Sequence, residues 1–236
     1  MRGDRQSEGD RLSALHLMPP ALGPLQRIDL HGLVARVAPW AFAALLAHHV
    51  LRYTWVAEDA FINLRVVAQA LDGWGLVWNQ GERVQVYTSP LWLWMTLAAS
   101  AVMGDPIQSV VWLSLATAGL TVLLLWRLCD RQPLTWLWLT LLWCSARSVR
   151  DYLCSGLETP LVMAAVALTV ALCRAPPLLT TRQLGSLLAA CALVRHDLVL
   201  LLAPLVLLTA WRQANAAHPG DVWPTARALL LGTWPL

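Results

Sequence analysis

The sequence predicts an all-α, polytopic transmembrane helix bundle. Three observations carry this: 58% of the residues are hydrophobic, 13% are charged, and the mean hydropathy is +0.55, whereas about a quarter of the residues in a soluble domain are charged. A chain this apolar places its backbone in helices, because hydrocarbon offers no water to pair with free N–H and C=O groups.

The elements follow in order. Residues 1–32 hold Arg2, Arg5, Arg11 and Arg27 among acids, prolines and glycines, with no compact apolar run, and read as a cytoplasmic tail rather than a signal peptide. Apolar segments then fall at 33–56, 90–104, 109–126, 134–146, 159–173, 184–194 and 198–211, and another begins near 225. Spanning a bilayer takes roughly 20 apolar residues. The first segment meets that length; 90–104 does not and reads as a juxtamembrane or re-entrant helix. Arginine-bearing loops belong in the cytoplasm, and running the first span outward with 90–104 left outside places Arg127, Arg131, Arg174, Arg182 and Arg212 there. Arg147 and Arg150 are exceptions. The core is thus 33–236, with an external loop at 57–108.

All 17 basic residues are arginine. This reads as gene base composition rather than phosphate contacts, so the net charge of +3 gives no reason to expect nucleic acid. Cys129, Cys144, Cys154, Cys173 and Cys191 lie in or beside apolar segments without metal-ligand spacing, and read as small buried apolar residues. His48 and His49 likewise lack a metal partner at useful spacing.

Glu58 and Asp59 stand at the mouth of the first segment. Adjacent acids there point to chemistry at the membrane surface. After them Phe61, Leu64, Val67 and Leu71 recur at helical spacing, predicting an amphipathic interfacial helix that ends at Asp72-Gly73. The stretch from Gly75 to Arg83 is rich in turn formers, and Ser89-Pro90 predicts a helix start. Asp59 also suits the plainer role of capping the interfacial helix. Further on, Arg195-His196-Asp197 interrupts the apolar run from Leu184 to Trp211, and ionisable groups at such depth face a cavity or a partner. Arg195 suits a lipid phosphate or, more simply, an internal pair with Asp197. Glu158 precedes Thr159-Pro160, where Thr159 is expected to cap the next helix, and under this topology it faces the same side as Glu58.

The run EDAFINLRVVAQALDGWGLVWNQGERVQVYTSPLW, the SGLETPL at 155–161 and the ALVRHD at 192–197 resemble three motifs, in the same order, of bacterial GT-C glycosyltransferases of the terminal arabinofuranosyltransferase type. Proteins of flagellar motor control carry the first pattern too. Glu58, Asn63, Val86 and His196 depart from it. The resemblance implies a GT-C fold in a bacterial inner membrane, with the active site facing the periplasm, and an inverting transfer from a polyprenyl-phosphate-linked sugar donor to a glycan or lipid acceptor. It implies Glu58 or Asp59 as the base, which of the two staying open because Glu58 replaces an aspartate. Arg65, Tyr87, Glu158, Arg195 and Asp197 are the expected substrate-binding residues, with Arg65 a possible partner that keeps one acid ionised. Trp74, Trp78, Tyr87, Trp92 and Trp94 suit sugar stacking, prenyl lining or interface anchoring. No cofactor is expected, although some GT-C enzymes use a divalent metal. A non-enzymatic membrane factor of the same fold, of the flagellar-motor-control or assembly kind, is the alternative. That family is typically more than twice as long, and the chain ends inside an apolar segment, so a fragment is expected.

Overall fold

A computed structural model of the chain describes residues 29–52, 55–82, 84–130, 132–174, 179–217 and 223–233. All regular structure among the described residues is helical. The chain forms two units, Met1–Val34 and Ala35–Leu236. In the first, Asp29 opens a helix by accepting the Gly32 backbone N–H at 3.0 Å, which fills one of the donors a helix start leaves free.

The helices are α1 (Leu30–Arg52), α2 (Glu58–Leu71), α3 (Pro90–Met103), α4 (Pro106–Leu128), α5 (Pro133–Ser145), α6 (Arg147–Tyr152), α7 (Thr159–Cys173), α8 (Thr181–Val194), α9 (His196–Ala217) and α10 (Trp223–Thr233). Proline opens α3, α4, α5 and α7 in the first two positions, where its missing N–H costs nothing. Asp105 caps α4 by accepting from the Ile107 and Gln108 N–H groups at 2.8 and 3.3 Å. Thr180 and Gln183 form a reciprocal capping box at α8.

Several expectations change. Among the described residues two helices are long and apolar enough to cross a membrane, Pro106–Leu128 and His196–Ala216. The first segment forms α1, which has the length expected of a span; several of its side chains lie outside the described residues. α2 is amphipathic as expected, yet its buried face is Ala60, Asn63, Leu64, Val66 and Val67, while Phe61 and Leu71 are exposed. The packed face is rotated because α2 seats against α3 rather than lying alone on an interface. Glu158, not Thr159, is the N-cap of α7. α6 was not legible; its six residues are held by an Arg147–Asp151 pair one turn apart at 3.2 Å.

The core of the second unit has two main parts. In one, Phe42 meets Trp136 edge-on with centroids 5.6 Å apart, and Trp136 meets Trp126 at 5.4 Å; Val122, Leu153 and Cys154 pack around them. In the other, Leu64, Trp92, Val110, Leu161, Val194 and Leu198 bring α2, α3, α4, α7, α8 and α9 together. α8 and α10 approach closely at Gly185 and Gly232: a Cβ on either would run into the Leu229 or Arg182 carbonyl oxygen. Ser186 Oγ adds a hydrogen bond to the Gly232 carbonyl at 2.8 Å. Small residues that let helix backbones touch are what helix pairing in lipid uses, since apolar burial gives no drive there.

The ends of α4 and α7 are tied together. Arg174 grips both carboxylate oxygens of Asp130, at 3.0 and 2.6 Å, and donates to the Leu128 carbonyl at 2.9 Å. Cys129, Cys154 and Cys191 are buried and Cys173 half-buried, all as free thiols; the side chain of Cys144 lies outside the described residues.

Candidate active site

The three sequence motifs meet at one turn. Between α1 and α2, the Trp55 indole N–H donates to the Asp151 carbonyl at 2.7 Å, and the Ala57 N–H donates to the Ser155 carbonyl at 2.9 Å. This zips the entry of α2 onto the segment before α7. Gly156 then turns the chain at φ 79°, where a Cβ would stand 3.0 Å from the Ala60 Cβ and 3.2 Å from Val110. No side chain fits there. The Gly156 carbonyl accepts the Trp92 indole N–H at 3.0 Å, and Trp92 is fully buried, a burial worth about 2–3 kcal/mol for a large apolar side chain.

Two residues beyond, Glu158 is buried at 6% exposure. It accepts from Arg195 Nη1 at 3.0 Å. Arg195 is a lone extended residue, φ −161° and ψ 138°, between α8 and α9, so its side chain leaves the joint of two helices. Asp197, in the first turn of α9, takes the other edge of the guanidinium: Nε to Oδ1 at 3.0 Å and Nη2 to Oδ2 at 2.9 Å. A cleft of about 380 Å³ opens beside the three charges, with walls from Thr159, Val162, Leu198 and Leu201.

This arrangement sets what the cluster can do. A guanidinium has five N–H donors, and three are taken, leaving two. Arg195 already faces two carboxylates, so an incoming anion competes with them for the guanidinium. Asp197, at 63% side-chain exposure against 8% for Glu158, is the one positioned to yield, because release into water costs it least.

Glu58 and Asp59 form the first turn of α2, and both are exposed. Neither has a hydrogen-bond or ion-pair partner among the described residues. The N-cap is Ala57, without a side-chain cap bond, so Asp59 does not cap the helix; it lies two residues past the cap, within the first turn. A helix N-terminus nonetheless favours a carboxylate electrostatically.

Arg65 does not meet either acid. It lies over the Trp78 ring at 4.6 Å, donates from Nε to the Trp78 carbonyl at 3.0 Å, and from Nη2 to Asn79 Oδ1 at 2.8 Å. Asn79 in turn donates to Glu82 at 3.0 Å. Tyr87 packs on Val66, Val67 and Leu93 and lines a cleft of its own with Trp74 and Gln85. Glu158, Arg195 and Asp197 are therefore brought together, the α2 acids are joined to them through the Ser155-Gly156 turn, and Arg65 and Tyr87 stand elsewhere. Trp92 is a core residue rather than a sugar platform. Trp55 was not singled out by the sequence; Gly156 was, within the 155–161 motif, but without its partners. A glycine beside a serine signals a turn, but no local signal tells which distant indole will use its carbonyl.

Fold and site define an all-α bundle, two of whose helices suit a membrane, with an ionic cleft where helix ends meet. The chain resembles the terminal beta-(1->2)-arabinofuranosyltransferase of Mycobacterium tuberculosis, 32% identical over 209 residues, covering 76% of this chain and 33% of that protein. A protein of the same name from Corynebacterium glutamicum is 37% identical over 62 residues, covering 26% of this chain and 9% of its own length. The chain thus spans about a third of the length of the first relative. The resemblance stated on the three motifs holds. No known family profile matches the chain, and no solved structure matches it.

Proposed function

We propose that this chain is the donor-handling part of an inverting GT-C glycosyltransferase, embedded in a bacterial inner membrane, that transfers a sugar from a polyprenyl-phosphate carrier to a glycan or lipid acceptor at the outer face. The observation that supports it is the meeting of the three motifs: α2 with its two acids, the 155–158 turn and Arg195 are held together by the Ala57–Ser155, Trp92–Gly156 and Glu158–Arg195 contacts. The name of the relatives supports the reaction class.

In this reading an acceptor hydroxyl oxygen attacks the anomeric carbon from the face opposite the phosphate. The anomeric carbon–oxygen bond to phosphate breaks, its electron pair stays on the departing polyprenyl phosphate, and the hydroxyl proton passes to Glu58 or Asp59. Arg195, on exchanging Asp197, meets the phosphate charge, and Leu198 and Leu201 lie beside the first prenyl units. Membranes carrying the protein, given a polyprenyl phosphate bearing a labelled pentofuranose and an oligosaccharide acceptor, test it. Product formation that falls by about a hundredfold or more with Glu58→Gln plus Asp59→Asn supports the reading; transfer unchanged by that pair of substitutions overturns it.

A further inference from the structure

The aromatic residues between positions 74 and 94 separate once placed. Trp78 lies under Arg65, Trp92 is buried against Gly156, and Trp94 is exposed on α3. Trp74 and Tyr87 remain, and they share a cleft of about 390 Å³ with Leu76, Val77, Val84 and Gln85. None of these lining side chains is charged. Trp74 is 56% exposed. The cleft therefore offers an open indole face, a phenol, a carboxamide and the backbone polar groups of a turn. This is poor chemistry for a phosphate and good chemistry for a neutral polyhydroxylated ring, whose C–H face stacks on an aromatic surface while its hydroxyls take amide donors and acceptors.

The cleft is held in shape before any ligand arrives. Leu76, Val86 and Tyr87 pack on the buried Val66, Val67 and Leu93. Trp74 N–H donates to the Gln69 carbonyl at 2.9 Å, and Val77 N–H to the Gly75 carbonyl at 2.9 Å. Arg65 staples the adjoining turn through Trp78 and Asn79. A loop fixed in this way spends little entropy on binding. From this we infer that the cleft between Trp74 and Tyr87 is a carbohydrate subsite for a neutral oligosaccharide, the acceptor glycan of the proposed reaction, separate from the Glu158–Arg195 cluster. It assigns Arg65 a positioning role through the turn it staples. The inference rests on the proposed transferase reading for the identity of the glycan, and not for the chemistry of the cleft.

The test is binding of a neutral arabinofuranosyl oligosaccharide to the whole protein in lipid nanodiscs, with a uronic-acid oligosaccharide of equal length as control. Saturation transfer from aromatic protons to the neutral sugar is expected, with weaker transfer to the anionic one. Trp74→Ala and Gln85→Ala should each weaken binding by about tenfold, Trp74→Phe by much less, and Glu158→Gln not at all. Because Trp74 and Gln85 are exposed, these variants leave the core intact. Neutral sugar that fails to bind, or binds equally well to Trp74→Ala, overturns the inference. Binding that follows Trp74 in a protein without transferase activity keeps the carbohydrate cleft and removes the reaction proposed around it. Transfer with an acceptor KM indifferent to Trp74→Ala does the reverse.

Discussion

Glu158 and Arg195, 37 positions apart, form an ion pair at 3.0 Å in which the acid is 8% exposed and the arginine 43%. The pair locks the N-terminus of α7 to the joint of α8 and α9. Replacing Glu158 with Gln keeps a hydrogen-bond acceptor but removes the charge. Thermal unfolding should show a loss of about 1–2 kcal/mol, less than a fully buried pair because water screens Arg195. Arg195→Lys should cost as much, since an ammonium cannot serve both carboxylates at once.

Gly156→Ala should be far worse than its size suggests. The new Cβ meets Ala60 and Val110 at 3.0 and 3.2 Å, and the backbone sits at φ 79°. The expected loss is about 2–4 kcal/mol from strain and overpacking together. Denaturant melts of the variant should show it, and Gly73→Ala, equally left-handed but with open space around it, should lose only the backbone part.

Glu58→Gln and Asp59→Asn should separate stability from activity. Both acids are exposed and unpartnered among the described residues, so the melting transition should move by no more than the few tenths of a kcal/mol a helix-end charge contributes. Any large loss of transfer activity then belongs to chemistry, and a single-variant comparison reads which carboxylate carries it.

Cys154 is buried, and burial pushes its thiol from the ordinary 9.0 up to about 11. Near neutral pH it should resist alkylation in the folded protein and react after denaturation, as peptide mass mapping would show. The linked stability follows the same sign. The folded thiol holds its proton above the pH at which the unfolded one releases it, so the stabilisation is complete below pH 9.0 and is progressively lost as pH rises toward about 11. Cys154→Ala should flatten that alkaline decline.

Gly185→Leu should separate α8 from α10, because its side chain would enter the Leu229 carbonyl. A fall in resistance to proteolysis near Trp223 is the expected readout.

Helix positions were legible where apolar runs end in Pro, Gly or charge: 90–104, 159–173 and the break at Arg195 match the helices within a residue or two. α6 was not, since six residues with one aliphatic side chain, Val149, hold no periodic apolar stripe. At the site, the Arg195–Asp197 pair could be read because its partners are two residues apart. The contacts of Arg65 could not be read for the opposite reason: its neighbours Trp78 and Asn79 are more than a dozen residues away, and spacing along one helix cannot show a loop folding back. The rotated face of α2 belongs to the same class, because periodicity gives a stripe and only the neighbouring helix decides which edge of it is covered.

Arg195 stands at the C-terminal end of α8, and Asp197 in the first turn of α9. Each side chain thus carries the sign that its own helix end favours, and the two pair with one another across His196. The joint is electrically self-contained without any ligand. In the proposed transferase, a phosphate reaching this joint would not fill an empty socket but enter an exchange, with the outgoing carboxylate tethered two residues away and ready to return. A site of that kind would trade tightness for turnover.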